Sequence, residues 1–165
     1  MKVFSLNEDE CLQLLADTRF GRLGCARDNQ PYVVPIYFVV GDGFIYSFAL
    51  PGQKIHWMRD NPRVCIETDS VVGADDWTSV VVLGRYTELE QSPEFQRERQ
   101  RAHLLLQGRP MWWEPGAISV EGVDEERDFV PIFYRVTIEH ISGYRARSRT
   151  RESSGTLRAP RTGGA

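Results

Sequence analysis

The sequence predicts a mainly β fold, an antiparallel barrel of six strands with short helices at its corners. Two observations carry that expectation. Six runs rich in β-branched and aromatic residues stand at 20–26, 32–40, 44–48, 63–68, 77–89 and 132–138, and the first three are joined by tight turn sequences of the kind antiparallel neighbours use. Helical patterns fall between groups of strands, in the order helix, three strands, helix, two strands, helix, strand. A doubly wound parallel sheet would alternate strand and helix throughout. No internal repeat is present.

The elements follow in order. Asn7 is a good N-cap, Glu10 at the third helical position completes a capping box, and Leu6 is placed to staple onto Cys11. Cys11, Leu14 and Leu15 then share one helical face, and Asp17-Thr18 marks the exit. The run Phe20-Gly21-Arg22-Leu23-Gly24-Cys25-Ala26 alternates larger apolar residues with Gly or Arg, and Asp28-Asn29 supplies a turn. The nine residues 32–40 contain Pro35, which cannot donate to a ladder and marks an edge strand or a bulge. Gly41-Asp42-Gly43 turns into the third strand. Pro51-Gly52 leads into a short helix with Ile55 and Met58 inward and Asn61-Pro62 as its stop. Strand 63–68, a loop at 73–76 and the long strand 77–89 follow. Ser92 as cap with Pro93 at the first position starts a third helix, whose apolar stripe is Phe95, Ala102, Leu105 and Leu106. Gly108-Arg109-Pro110 ends it, residues 111–116 read as loop, and 132–138 is the last strand.

Length and composition bound the function. The 165 residues, 41% hydrophobic and 26% charged, suit one domain, and a domain of that size buries about 68–70% of its unfolded surface without staples. No stretch approaches the roughly 20 apolar residues of a membrane helix. Residues 1–10 lack the apolar core of a secretion signal, so a cytoplasmic protein with no membrane partner is expected. Cys11, Cys25 and Cys65 are odd in number and widely spaced, and His56, His103 and His140 are equally scattered; neither a disulfide framework nor a metal site is expected. The net charge is −3, with 20 basic and 23 acidic residues. Six Arg and one Glu lie from Arg145 onward among Ser, Thr and Gly. The domain is therefore expected over 1–146, with 147–165 as a flexible basic tail. A solvated end is the commoner form of such a tail, and no nucleic-acid partner is expected.

Of the 20 basic residues only Lys2 and Lys54 are lysine. Lys54 stands in the first turn of a helix that follows a strand and a Pro-Gly turn. Helix N-termini present unpaired N–H groups and the positive dipole end, which suits a phosphate, and an ammonium there adds a point charge toward the same anion. A solvated lysine at a helix start is the competing reading. Arg59 lies five residues on. Nucleophile-elbow, dinucleotide and P-loop motifs are absent. Asp75-Asp76 and Asp124-Glu125-Glu126 read as solvated turns, and His56 as a partly exposed helical side chain, with a proton donor near a cofactor as the alternative. Trp77, Trp112 and Trp113 are candidates for stacking on a planar ligand, while packing over the barrel mouth or a dimer seam is an equal reading of Trp112-Trp113.

An ordered set of short motifs spans nearly the whole chain to residue 147. It runs Phe20-Gly21-Arg22-Leu23-Gly24, then Pro31, Val33, Pro35, Ile36 and Phe38, then Ile45-Tyr46-Ser47, then Gly52 and Lys54. Asn61-Pro62-Arg63-Val64-Cys65, then Trp77, Ser79, Val80, Val82 and Gly84, and finally residues 141–146 complete it. This set resembles the pyridoxamine 5'-phosphate oxidase-like FMN-binding split barrels, in particular the branch that includes the nitroimidazole-reductase-like group. The resemblance implies a homodimer with FMN held at the subunit interface, serving an oxidoreductase acting on a small electron-poor substrate. Related barrels bind haem or the deazaflavin F420, and a binding module without turnover is the alternative. By position, Pro35, Ile36, Tyr37 and Phe38 would line the isoalloxazine. Tyr46, Ser47, Phe48 and Lys54 would hold the ribityl phosphate, and Trp77, Ser79 and Val80 would approach from the long strand. Ser47 stands where the nitroimidazole-reductase-like group often carries a histidine. The basic C-terminal cluster of true pyridoxamine phosphate oxidases is not clearly matched, so vitamin B6 oxidation is not implied, and no catalytic acid or base is assigned.

Overall fold

The computed structural model describes residues 1–107 and 130–147. Among them are eight strands and three helices: β1 (Lys2–Ser5), α1 (Glu8–Asp17), β2 (Phe20–Arg27), β3 (Gln30–Tyr37), β4 (Val39–Gly41), β5 (Phe44–Ala49), α2 (Gln53–Asp60), β6 (Arg63–Gly73), β7 (Asp76–Glu88), α3 (Gln96–Gln107) and β8 (Ile132–Arg147). One antiparallel sheet runs β3-β2-β6-β7-β8-β5-β4, with β1 added along β8. Its two ends, β3 and β4, are consecutive in the chain with only Phe38 between them. The covalent chain therefore joins the open edges, and the sheet curls into a barrel. The Ser47 hydroxyl donates to the Tyr37 carbonyl at 2.7 Å across this seam, and the Phe38 N–H donates to the Arg19 carbonyl at 3.1 Å.

The hairpins form where turn residues accept positive φ. Asp28 and Asn29 (φ 50° and 63°) and Asp42 and Gly43 (φ 53° and 80°) are left-handed pairs, the backbone of the two-residue turns whose twist matches that of the strands. β7 and β8 pair over their length, with a register shift between Leu83 and Gly84 that leaves Glu139 unopposed. Gly84 permits this approach, because a Cβ there would lie 2.3 Å from the Thr137 carbonyl oxygen. Leu15, Leu23, Ile36, Phe38, Ile45, Ile55, Met58, Ile66, Val80 and Val82 fill the barrel. A second apolar layer, including Val39, Tyr46, Phe48, Leu89, Ala102, Leu106 and Phe133, lies between the sheet and α3. The capping box of α1 is formed by Asn7 and Glu10 in both directions, and α1 docks where Gly143 leaves room for Leu6 and Cys11.

Several expectations are revised. Eight strands replace six: β1 was not legible because all four of its residues are exposed, and the run 32–40 breaks at Phe38 into β3 and β4. Pro35 does lie in an edge strand, β3. The loop at 73–76 is a tight turn at Ala74-Asp75. The third helix starts at Gln96, so Ser92 and Pro93 precede it and Ser92 is not its cap. Phe95 and Leu105 do pack on the second layer, beside Ala102 and Leu106. The last strand, expected over 132–138, continues as β8 to Arg147, so Arg145 and Arg147 of the basic run lie in it. Gly108-Arg109-Pro110, Trp112-Trp113, Asp124-Glu125-Glu126 and the tail 148–165 lie outside the described residues.

Gly84→Ala is expected to force β7 and β8 apart and to cost about 2–3 kcal/mol of stability, read as a lowered urea midpoint. An unchanged midpoint would mean that the bulge tolerates a side chain.

Candidate functional site

Strand β5 ends at Ala49, and Pro51 prevents the chain from continuing the ladder. Gly52 then stands as N-cap of α2 with extended backbone and no side-chain cap. The first intrahelical bond runs from the His56 N–H to the Gly52 carbonyl. The N–H groups of Gln53, Lys54 and Ile55 thus have no intrahelical acceptor, and no cap side chain answers them. Lys54 sits among these donors, partly buried. Burial lowers its ammonium pKa below the ordinary lysine value, and the Cys25 thiol opposes that shift. No carboxylate faces Lys54 among the described residues. Burying an ammonium without an anion is unfavourable, so this turn is a cationic position for which the described residues supply no counter-ion.

Strand β5 has two faces that lead to different places. Ser47 points into the barrel, fully buried, opposite Tyr134 of β8 in the register. The Tyr134 hydroxyl is buried there without a well-formed hydrogen bond among the described residues. Burial pushes its pKa up to about 12, partly offset by the neighbouring Ser47 hydroxyl. Cys25, on β2, lines the same interior, and burial pushes its thiol up while the Lys54 ammonium draws it down. Tyr46 and Phe48 point the other way, under α3. The Tyr46 hydroxyl donates to Glu98 at 3.2 Å, and burial with Glu98 pushes it up to about 12. Arg135 donates to the same Glu98 oxygen at 2.6 Å.

The remaining expected site residues divide between the barrel interior and its outer surface. Ile36, Phe38 and Val80 are buried in the core. Pro35, Tyr37, Trp77 and Ser79 alternate onto the outside of the β3-β2-β6-β7 sheet. In the register this outer face also carries Phe20, Arg22, Val33, Glu67, Asp69 and Leu83. It is apolar for an exposed surface: Phe20 is 42% exposed, Tyr37 45%, Leu83 49% and Val33 62%, and the Phe20 and Tyr37 rings meet edge-on at 5.2 Å. At its centre Arg22 donates to Asp69 and, at 3.3 Å, to Glu67. Ser79 donates to the other Glu67 oxygen at 3.2 Å.

The structure therefore brings Ser47 and Lys54 toward the Cys25–Tyr134 side of the barrel, and Pro35, Tyr37, Trp77 and Ser79 onto one outer face. It separates the side chains of Tyr46 and Phe48 from both. Sequence reasoning missed Tyr134 and the Arg22–Glu67–Asp69 network, since strand register alone makes these residues neighbours. His56 and His140 are exposed, and His103 lies edge-on to Phe133 at 5.8 Å. No group of three metal-ligating side chains occurs among the described residues.

Comparison with known proteins agrees with this architecture. The family model for pyridoxamine 5'-phosphate oxidase matches residues 7–145. A protein of Rhizobium meliloti is 38% identical over 143 residues, which span 87% of this chain and 95% of the relative. The crystal structure of an FAD-binding protein from Mesorhizobium loti superposes with a TM-score of 0.73 at 39% identity, covering 90% of this chain and 99% of that one. A candidate pyridoxamine 5'-phosphate oxidase from Corynebacterium glutamicum superposes with a TM-score of 0.67 at 25% identity, covering 89% of this chain and 100% of that one. With a match from the first helix to the last strand, in a barrel of the same type, the chain belongs to the pyridoxamine 5'-phosphate oxidase family of split barrels.

Proposed function

We propose that this protein is a flavin-binding oxidoreductase, with FMN as the cofactor and a small electron-poor molecule as the substrate. The observation that carries the reading is Lys54: a partly buried ammonium in an uncapped helical turn, with no carboxylate beside it among the described residues. The residues present suit the phosphate of a flavin. The N–H groups at the start of α2 donate to its oxygens, and the Lys54 ammonium neutralises its charge where water is partly excluded. The Ser47 hydroxyl, whose proton goes to the Tyr37 carbonyl, is not assigned to the phosphate.

The outer face with Pro35, Tyr37, Trp77 and Ser79 supports a homodimer with the flavin at the subunit interface. A second copy would cover apolar side chains that a monomer leaves in water. A bound flavin supplies hydride or electron transfer, and the protein's part is to fix the ring and keep bulk water from it. Neither Ser47 nor Tyr134 is assigned a proton-transfer role. The name of the Mesorhizobium loti relative favours FAD as the second reading, since the same phosphate anchor would serve its longer diphosphate.

The test is the visible spectrum of the protein after incubation with FMN or FAD and removal of free cofactor. About one flavin per chain is expected, identified by chromatography after release, together with a dimeric mass in solution. A protein that retains neither flavin overturns the reading, and F420 and haem would then be tried. Lys54→Met is expected to weaken flavin binding by about tenfold or more, the scale of a lost charge-assisted contact.

The same variant has a consequence without flavin. Burial lowers the pKa of Lys54, so the unfolded chain binds that proton more tightly, and the penalty is present at neutral pH and relieved as pH rises through the lowered value. Lys54→Met is therefore expected to raise the melting temperature of flavin-free protein at pH 7. Added inorganic phosphate should stabilise the wild type but not the variant. Equal stabilisation of both by phosphate would remove Lys54 from the anion site.

A further inference from the structure

The helix that carries Lys54 is too short to hold itself. It has eight residues, no side-chain cap and two fully buried side chains, Ile55 and Met58, whereas isolated helices below about 12–15 residues are marginal in water. Its position is set by what grips it, and the grip is concentrated at the C-terminal turn. Arg59 donates twice to Glu88 of β7, from Nε at 2.7 Å and from Nη2 at 2.8 Å. The Tyr86 hydroxyl donates to the same carboxylate at 2.9 Å. On the other side Asp60 pairs with Arg27 at 3.1 Å, and the Asn61 amide donates to the Ala26 carbonyl at 2.9 Å.

The Glu88 cluster differs from an ordinary surface ion pair, which contributes little. The guanidinium meets the carboxylate as a planar fork, the geometry that adds direction to charge. A third donor, Tyr86, comes from the barrel wall, and the Glu88 side chain is only 20% exposed. The hydrogen bonds from Arg59 and Tyr86 hold the Glu88 carboxyl below its usual range. Tyr86 in turn packs against Tyr134 at 5.3 Å, and Tyr134 lies opposite Ser47 in the register. A continuous set of contacts thus runs from the last turn of α2 through β7 and β8 to the strand end beside Lys54. Lys54 and Arg59 are five residues apart, about 7.5 Å along the axis, so a tilt at one end displaces the other.

We propose that Glu88 is a positioning residue for the anion site. By clamping Arg59 against Tyr86, its carboxylate sets where the first turn of α2, with Lys54, stands against the barrel. This rests on the reading of Lys54 as the flavin-phosphate anchor, and it assigns a role to residues that touch no flavin.

Two readouts test it in the dialysed, full-length protein. Flavin affinity is measured by fluorescence quenching for wild type, Glu88→Gln, Arg59→Lys, Lys54→Met and the double variant Lys54→Met/Glu88→Gln. Amide hydrogen exchange of residues 53–57 is measured without flavin. Glu88→Gln and Arg59→Lys are each expected to weaken flavin binding by about tenfold, the scale of a charged hydrogen bond, and to speed exchange at 53–57 while β7 stays protected. In the Lys54→Met background Glu88→Gln should cost clearly less than in the wild type, because only the helix-start N–H groups remain to be positioned. The proposal is overturned if Lys54→Met weakens binding while Glu88→Gln and Arg59→Lys do not, or if the two losses simply add. If Lys54→Met binds flavin like wild type, the anchor itself is misassigned and the clamp falls with it. Should Glu88→Gln fail to fold, Arg59→Lys and Tyr86→Phe carry the same comparison.

Discussion

The antiparallel pair of β7 and β8 is the constraint on which the rest of this structure hangs. Twelve register pairs join the two strands. β6 is laid along the free side of β7, while β8 receives β1 near its C-terminal end and β5 near its N-terminal end. A flat ladder of that length could not curl into a barrel. The unopposed Glu139 and the absence of a side chain at Gly84 provide the local bend and extra twist that a bulge introduces. Beyond the bend, β5 faces the barrel with Ile45 and Ser47 and α3 with Tyr46 and Phe48. The two apolar layers follow from that division.

Closing the barrel has a polar cost that the molecule meets unevenly. At the seam between β3 and β5 no ladder forms, and Ser47 supplies the missing donor to Tyr37. Thr68 does the same for the Phe20 carbonyl at 2.9 Å. Buried polar groups of this kind are satisfied, as stability requires. Among the described residues the Lys54 ammonium has no carboxylate beside it and the Tyr134 hydroxyl no well-formed hydrogen bond, and both lie near Cys25. A desolvated ammonium of this kind is a position that an anion would stabilise. The uncapped helix start around Lys54 points the same way.

Much of this was legible from local chemistry. The capping box at Asn7 and Glu10, the two left-handed turns and the helix start before Lys54 each depend on residues within four positions of one another. Pro35 could be assigned to an edge or a bulge because proline lacks the donor an inner strand needs, and the structure has it on the edge strand β3. What depends on distant partners was not legible. β1 has no pattern of its own and exists because β8 offers an unpaired edge. Ser92 and Pro93 form a good helix start, yet the helix begins at Gln96, with Phe95 and Ala102 on the layer over Phe133 and Leu89. Propensity at 92–93 is worth about 1 kcal/mol, less than the burial of those side chains.

Periodicity, turn chemistry and composition are properties of neighbouring residues, and they set the barrel class, the order of the three helices among the long strands and the singular position of Lys54. Tertiary structure decided which of the expected site residues share a surface. The side-chain alternation of a strand separates Ser47 from Tyr46 and Phe48 even though they are adjacent in the chain. Register brings Arg22 to Glu67 and Asp69, and the docking of α2 brings Arg59 to Glu88. Such pairs are chosen by how a sheet twists and closes, and a linear sequence holds that information only through the packing of the whole domain.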